Sequence, residues 1–326
     1  MSFLNNVSPL FLVTILLAGL AILIKSANLF VDGASCFAKR LGISELTIGL
    51  TIVALGTSGP ELVVNIFSSL RGHSDLVFGN IIGSNIANTM LVLGVCGVIS
   101  PLILQRRTVV LDIPYALFAV VVLVVVTNDT FFSGSQFNIL NRTEGVILIF
   151  FFGLFFVTKE ALFRHKSGKS LDIPAKSLFA AVAIIIVGMI GMYIGGKFTV
   201  NTAIRLVKIL GVSDKLVGLT IISIGTSLPE LAASVTAVLR KKSDIAVGNI
   251  IGSNIFNIFV VLGISGIIRR LDYNSLLNFD LLILFVVSVF IWIPLAFKKD
   301  YKFNKSSAVV LLIVYVVYLV FLVIRK

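Results

Sequence analysis

GLTIVALGTSGPEL, from Gly49 to Leu62, and GNIIGSNIANTMLVLG, from Gly79 to Gly94, both return 169 residues later. The second copies read GLTIISIGTSLPEL (Gly218 to Leu231) and GNIIGSNIFNIFVVLG (Gly248 to Gly263). The offset holds without a gap from Lys39/Lys208 to Leu102/Leu271, and roughly half the positions in that window are identical. Each copy sets one glutamate, Glu61 or Glu230, inside apolar sequence. Paired hydrophobic segments interrupted by Gly and Pro at matching places in two halves of a membrane chain point to a site shared between the halves.

The surrounding composition places that motif in a bilayer. The chain has 326 residues, 58% of them hydrophobic and 13% charged, against about 25% charged residues in soluble domains. Its mean hydropathy is +1.09. The length suits about ten spans of ~20 residues joined by short loops, and no stretch is long and polar enough for a soluble domain. The net charge of +12 admits two readings: an acidic or nucleic-acid partner, or basic residues gathered on one side of a membrane. With the N-terminus outside, the inner loops hold 16 Lys and Arg and the outer loops and tails hold 9. This favours the second reading, with both termini outside and no nucleic-acid partner. Cys36 and Cys96 fall in apolar surroundings and read as buried free thiols. The apolar run from Pro9 to Ile24 follows no basic region and reads as a first span.

Spans are predicted near 8–36, 44–70, 76–100, 109–127, 144–163, 177–207, 213–239, 245–268, 277–297 and 307–324. The fold class is therefore all-α and integral to the membrane, with ten helices. Five precede the polar linker 164–176 and five follow it, so residues 1–163 and 177–326 form two repeats. Their motif windows are 39–102 and 208–271. An odd number of spans per repeat inverts the second against the first. Spans one and six are long and carry polar residues: Lys25, Asn28 and Asp32 in one, Lys197, Asn201 and Arg205 in the other. Such length implies tilt.

Pro60 lacks an N–H and Gly56 and Gly59 are weak helix formers, so span two should break there into two half-helices. Span seven should break at Gly225 to Pro229 in the same way. Broken backbone at membrane depth persists only where it is buried in protein or lines a cavity. The carbonyls from Ala54 to Thr57 are then expected to unwind and become available to a cation. Pro60 fits the first position of the second half-helix, and Glu61 sits in its first turn, where the helix dipole favours an ionised carboxylate. A charge at mid-bilayer costs at least ~2.5–3.5 kcal/mol, which makes it a functional candidate. The competing role is structural, with Glu61 and Glu230 paired to Lys25 and Lys197; those lysines do not share the repeat's spacing.

Thr57 and Glu61, Ser84 and Asn88, and Ser253 and Asn257 are each four apart and so share a helix face. Together they offer carboxylate, hydroxyl, amide and carbonyl oxygens, the ligands of a hard cation. His73 and His165 fall in loops, so soft-metal ligands are missing from the spans. Two carboxylates neutralise one divalent ion. Gly79-x-x-x-Gly83 and Gly248-x-x-x-Gly252 read either as close helix packing or as a direct lining of the site. Asp75 and Asp244 follow Ser74 and Ser243 and read as helix caps. Asp112 and Asp280, at span ends, read as interfacial.

The paired G-T-S-x-P-E and G-N-x-x-G-S-N-I-x-N segments resemble the alpha repeats of the calcium/cation antiporter superfamily, in its prokaryotic sodium/calcium exchanger branch. The motifs cover about 130 residues. The resemblance implies electrogenic exchange of about three Na⁺ for one Ca²⁺ in a multi-pass plasma or inner membrane protein. It implies no cofactor and no partner beyond the two ions and the bilayer, and is compatible with a monomer. It further implies that Glu61, Glu230 and the carbonyls of Thr57 and Thr226 bind Ca²⁺. Ser58, Ser84 and the Ala54 carbonyl would form one sodium site, and Ser227, Ser253 and the Ser223 carbonyl the other. Asn88 and Asn257 would line the centre, and spans one and six would slide as a gate. Two positions depart from the family's pattern. Gly59 stands where the motif usually has Leu, as Leu228 does in the second copy, and Asn257 stands where some relatives, including potassium-dependent exchangers, have Asp.

Beside a pure scaffold, two rival readings stand, one of the same transporter class with other ions and one an enzyme. One is a Ca²⁺/H⁺ or other cation/H⁺ exchanger; proton-coupled relatives usually carry an extra acid where this chain has Gly83/Ser84 and Gly252/Ser253. The other is an intramembrane protease built on Gly56-Thr57-Ser58-Gly59. A serine nucleophile needs a base within reach, neither histidine falls in a span, and Leu228 interrupts the pattern in the second copy. An enzyme is therefore not expected.

Overall fold

A computed structural model of the chain describes residues 9–132, 134–163, 177–209, 223–297 and 300–325. The linker 164–176 and the stretch 210–222, which opens the second motif, lie outside the described residues. The described residues are all-α apart from four two-residue strands. The first half runs α1 (Pro9–Leu41), α2 (Glu45–Thr57), α3 (Gly59–Arg71), α4 (Ser74–Ile99), α5 (Thr108–Thr127), α6 (Asp129–Phe132) and α7 (Arg142–Phe163). The second runs α8 (Leu178–Ile209), α9 (Ser223–Thr226), α10 (Leu228–Leu239), α11 (Ser243–Ile268), α12 (Ser275–Phe297) and α13 (Lys305–Ile324). Among the described residues, seven helices are long and apolar enough to cross a membrane, and α2 with α3, bent by 46°, makes an eighth.

The helices sort by side chain. α4 and α11, which carry GNIIGSN, are the most buried, with 72% and 78% of their apolar windows inside the protein. Their Gly and Ser residues let backbones approach, and their Asn residues need partners, so they occupy the centre. α5, α12 and α13 are Val- and Leu-rich and leave side chains such as Val121, Phe290 and Val317 exposed. A bilayer covers such faces without penalty.

Several contacts recur between corresponding elements of the two halves. A Cβ added at Gly19 would lie 2.8 Å from the Thr199 hydroxyl, and one added at Gly188 would lie 2.8 Å from the Phe30 Cβ. The duplication thus extends well upstream of Lys39, where sequence identity fades. β1 (Leu102–Ile103) pairs antiparallel with β4 (Lys302–Phe303), and β3 (Leu271–Asp272) pairs with β2 (Ile139–Leu140). Gly94 packs on Leu312 of α13, as its counterpart Gly263 packs on Gly145 and Ile149 of α7.

Asp112 and Asp280, expected at the span ends, are both buried within the protein. Asp280 accepts from the Tyr318 hydroxyl at 3.0 Å and from Arg325 Nη1 at 3.0 Å, because α13 ends beside it and supplies the compensating cation. Ser74 and Ser243 do not cap: each is already the first residue of its helix, and the residues before them, His73 and Lys242, make no side-chain capping bond. Cys36 is only half-buried, while Cys96 is buried; both are free.

The Asp280 contact yields a first prediction. Arg325→Ala leaves a buried carboxylate without its cation, which costs about 1–3 kcal/mol. A Tm several degrees lower in detergent is expected, and an unchanged Tm would show the pair to be neutral.

Candidate functional site

Ser58 and Ser227 sit at the two breaks with nearly the same backbone, φ −83° and ψ 9° against φ −86° and ψ 6°. Gly59 and Leu228 start the following helices, so Pro60 and Pro229 take the second helical position rather than the expected first. The expected unwinding of Ala54 to Thr57 is also narrower than anticipated. These four residues are helical, and the Ala54 carbonyl accepts from the Ser58 amide at 3.0 Å, with Thr57 Oγ1 3.3 Å away. Only one further backbone bond crosses the kink, from the Leu62 amide to the Ser58 carbonyl at 3.2 Å. Pro60 has no N–H to offer the Gly56 carbonyl. The break is thus a kink of one residue that does not dismantle a turn. In the second half, Ser223 opens the four-residue α9 that ends at Thr226.

The kinks bring the predicted side chains together. Thr57, Ser58, Glu61, Ser84, Asn88, Ser227, Glu230, Ser253 and Asn257 are all at most 2% exposed, and Thr226 is half-buried. Ser58 Oγ donates to Glu230 Oε1 at 2.8 Å, directly joining the two halves. Thr57 Oγ1 donates to Asn249 Oδ1 at 3.0 Å and lies 3.4 Å from Ser253 Oγ. The shifted set is the same: Thr226 Oγ1 donates to Asn80 Oδ1 at 3.4 Å and lies 3.4 Å from Ser84 Oγ. Asn257 Nδ2 donates to Asn85 Oδ1 at 3.3 Å.

Sequence reasoning passed over Asn80 and Asn249. Each accepts the threonine hydroxyl of the opposite repeat. Each also donates to its own half-helix, Asn80 to Asn65 at 2.8 Å and Asn249 to Ser234 at 2.9 Å. The signal was present: both are the Asn of GNIIGSN. Also unanticipated are π-helical turns at Gly49–Val53, Ala87–Val92 and Asn257–Val261. Two of them begin at or beside Asn88 and Asn257. Such turns gather at functional sites, but no residue type announces them.

The site holds more oxygen than the protein itself satisfies. Both Glu61 oxygens, Glu230 Oε2, Ser227 Oγ, Asn257 Oδ1 and both polar atoms of Asn88 have no hydrogen-bond partner. A buried polar atom left this way costs about 1–3 kcal/mol, and a charged one more. The structural pairing with lysines is not seen: Lys25 is exposed and Lys197 Nζ lies 5.8 Å from the centre of the Tyr193 ring. Neither glutamate takes part in a salt bridge among the described residues. The two halves differ here, since Ser58 binds Glu230 while Ser227 leaves its hydroxyl free of Glu61. Two acids, hydroxyls and amides, short of donors, offer the kinds of oxygen that a hard cation takes. A cavity of about 210 Å³ lined by Pro60, Val64, Lys197, Asn201, Thr226 and Pro229, among others, lies beside both kinks.

Comparison with known proteins agrees with this chemistry. Residues 11–159 and 180–324 match the family model described as sodium/calcium exchanger protein. The chain is 31% identical to the sodium/calcium exchanger MaX1 of Methanosarcina acetivorans, over 93% of this chain and 95% of that one. It is 32% identical to the inner membrane protein YrbG of Escherichia coli, over 88% and 83% of the two chains. Among solved structures, the sodium-calcium exchanger NCX_Mj soaked with Na⁺ and Ca²⁺ superposes with a TM-score of 0.76 at 28% identity, covering 94% of this chain and 97% of the other. The chain is thus a multi-pass membrane antiporter and not an enzyme, and it belongs to the sodium/calcium exchanger family.

Proposed function

We propose that this protein exchanges Na⁺ for Ca²⁺ by alternating access, moving roughly three Na⁺ per Ca²⁺ and therefore net charge. The observation that carries this reading is the pair of wholly buried, lysine-free glutamates, one from each half, with three of their four oxygens unpartnered. Glu61, Glu230 and the carbonyls of Thr57 and Thr226 hold Ca²⁺. Within a diamond of four sites, Ser58, Ser84 and the Ala54 carbonyl serve one Na⁺, and Ser227, Ser253 and the Ser223 carbonyl serve another. Asn88 and Asn257 line the centre. One divalent ion balances the two carboxylates, and Na⁺ ions held in the adjoining sites compete with it for that negative charge. Ca²⁺ affinity of the purified protein should therefore fall with the second or higher power of Na⁺ concentration; Ca²⁺ binding indifferent to Na⁺ would sink the assignment.

The ten-span inverted layout is supported by the α1–α8 glycine contacts exchanged by the 169-residue shift and by strand pairs that recur between corresponding elements of the two halves. The orientation with both termini outside is supported by how the basic loops cluster. The β1–β4 pair and the Gln105–Asp244 bond at 2.7 Å gather Arg106, Arg107, Lys241, Lys242, Lys302 and Lys305 at one end. We assign that end to the inside.

Asn257 is fully buried, with Oδ1 unpartnered. Asn257→Asp adds a third acid to the site. Flux is then expected to become sensitive to pH or K⁺ where wild type is not. Identical flux at several pH values and K⁺ levels would remove Asn257 from the ion path.

A further inference from the structure

α1 and α8 pack backbone to backbone as one antiparallel pair. A Cβ at Gly191 or Gly195 would strike Ser26 Oγ at 2.1 Å or the Leu23 amide at 2.6 Å. At one end the pair is tied to the rest of the protein by two polar contacts. Arg240 pairs with Asp32 of α1, and Lys242 Nζ donates to Ser35 Oγ at 2.7 Å. Both basic residues come from the three-residue turn between α10 and α11. That turn is held by the Lys241 amide on the Val238 carbonyl at 2.9 Å and the Lys242 amide on the Ala237 carbonyl at 2.8 Å. Lys241 takes φ +60° to make it, a left-handed conformation uncommon outside glycine. The repeat-related turn after α3 gives that position to Gly72, at φ +79°.

The opposite end of the pair is built differently. Under the 169-residue shift Asp32 becomes Asn201, Ser35 becomes Ile204 and Lys242 becomes His73, while Arg240 keeps its charge as Arg71. The acid and the hydroxyl that receive the turn are thus present at one end only. The cavity of about 210 Å³ beside the kinks lies toward the other end, against Lys197 and Asn201 of α8.

We infer that Asp32–Arg240 and Ser35–Lys242 form a latch that clamps the α1–α8 pair onto the α10–α11 turn, closing that end of the site while the other stays accessible. The latch acts as a positioning device: none of its four residues lies in the ion site. It rests on the alternating-access reading, in which the pair must move, but not on which ions cross. Lys242 is half-buried between Glu45, Asp32, Arg240 and Lys39, and burial pushes its ammonium below the ordinary lysine range despite the two acids. A neutral hydroxyl acceptor from α1 suits a cation so placed. Exposed ion pairs contribute modestly and are salt-sensitive, as a contact that must open in every cycle requires.

Native Cys36 reports on the latch. It lies one helical turn beyond Asp32 and is half-buried, whereas Cys96 is wholly buried. In a Cys96→Ala background Cys36 is the single thiol, and its alkylation by a maleimide reads how often α1 lifts off the turn. Asp32→Asn and Arg240→Gln should each speed labelling about three- to tenfold, and high salt should shrink the difference. The swap Asp32→Arg with Arg240→Asp should return the rate toward wild type. Lys242→Met tests the second contact and should also speed labelling, in a variant that keeps the ion pair. Wild-type rates in all the single variants would overturn the latch, as would a swap that labels as fast as they do. If labelling follows the expected pattern while no Ca²⁺ flux is found, the latch stands and the ion assignment falls.

Discussion

Glu61→Gln or Glu230→Gln is expected to abolish Na⁺-dependent Ca²⁺ flux, by at least about a hundredfold, while the protein still inserts and folds. Each substitution keeps the shape and removes one formal charge from the ion's shell. Charge-assisted contacts are about twice as strong as neutral ones, and a 1.4 kcal/mol loss is already tenfold. Folding should not suffer, because the carboxylates are wholly buried without a cationic partner among the described residues. Replacing such a charge by an amide relieves desolvation. Without Ca²⁺ the variants should therefore melt at or above the wild-type temperature. With Ca²⁺ they should lose the upward shift that ligand binding gives wild type. The two residues need not be equal: Glu230 already accepts from Ser58, whereas both Glu61 oxygens lack partners. Retained flux in either variant would refute the site.

Gly252→Leu should prevent the protein from folding, and Gly252→Ala should lower the Tm measurably. A Cβ at this position would stand 2.5 Å from the Leu50 carbonyl oxygen and 2.8 Å from the Ala54 Cβ. Gly248 is equally close, 2.6 Å from the Leu46 carbonyl. The neighbours are mainly backbone of α2, so they cannot rotate away, and overpacking of this kind costs about 1–3 kcal/mol or more. The effect reaches function because the contact sets α11 against the first kink. Ser253 and Asn257 stand beside Thr57 and Asn85 through that approach. Of the two readings of Gly248-x-x-x-Gly252, close packing is the one observed, and it serves the site. A Gly252→Ala protein with wild-type Tm and flux would show that α2 yields more readily than this.

The site was legible because it is doubled. Glu61 and Glu230 stand in apolar sequence beside Gly and Pro, and two copies in register exclude coincidence. The buried cluster of Thr57, Ser58, Ser84, Asn88 and their counterparts follows from four-residue spacing and from the need to cover broken backbone. What escaped was geometry without a residue signature. The π-turns beginning at Ala87 and Asn257 depend on a hydrogen-bond shift that any residue can make. The kink at Ser58 is tighter than Gly and Pro alone suggest, because the Ser58 amide still reaches the Ala54 carbonyl. The burial of Asp280 was not legible because its partners, Tyr318 and Arg325, are distant in sequence and meet it only through packing. Asn80 and Asn249 could have been found, since they recur in both copies.

The central claim is the coupling of Ca²⁺ to Na⁺. Purified protein in Na⁺-loaded liposomes, diluted into Na⁺-free buffer, tests it through uptake of radiolabelled Ca²⁺, with a pH gradient imposed as the alternative driving force. The account predicts uptake that requires internal Na⁺ and is unmoved by the pH gradient. Uptake driven by the pH gradient alone would contradict it and place the protein among proton-coupled exchangers.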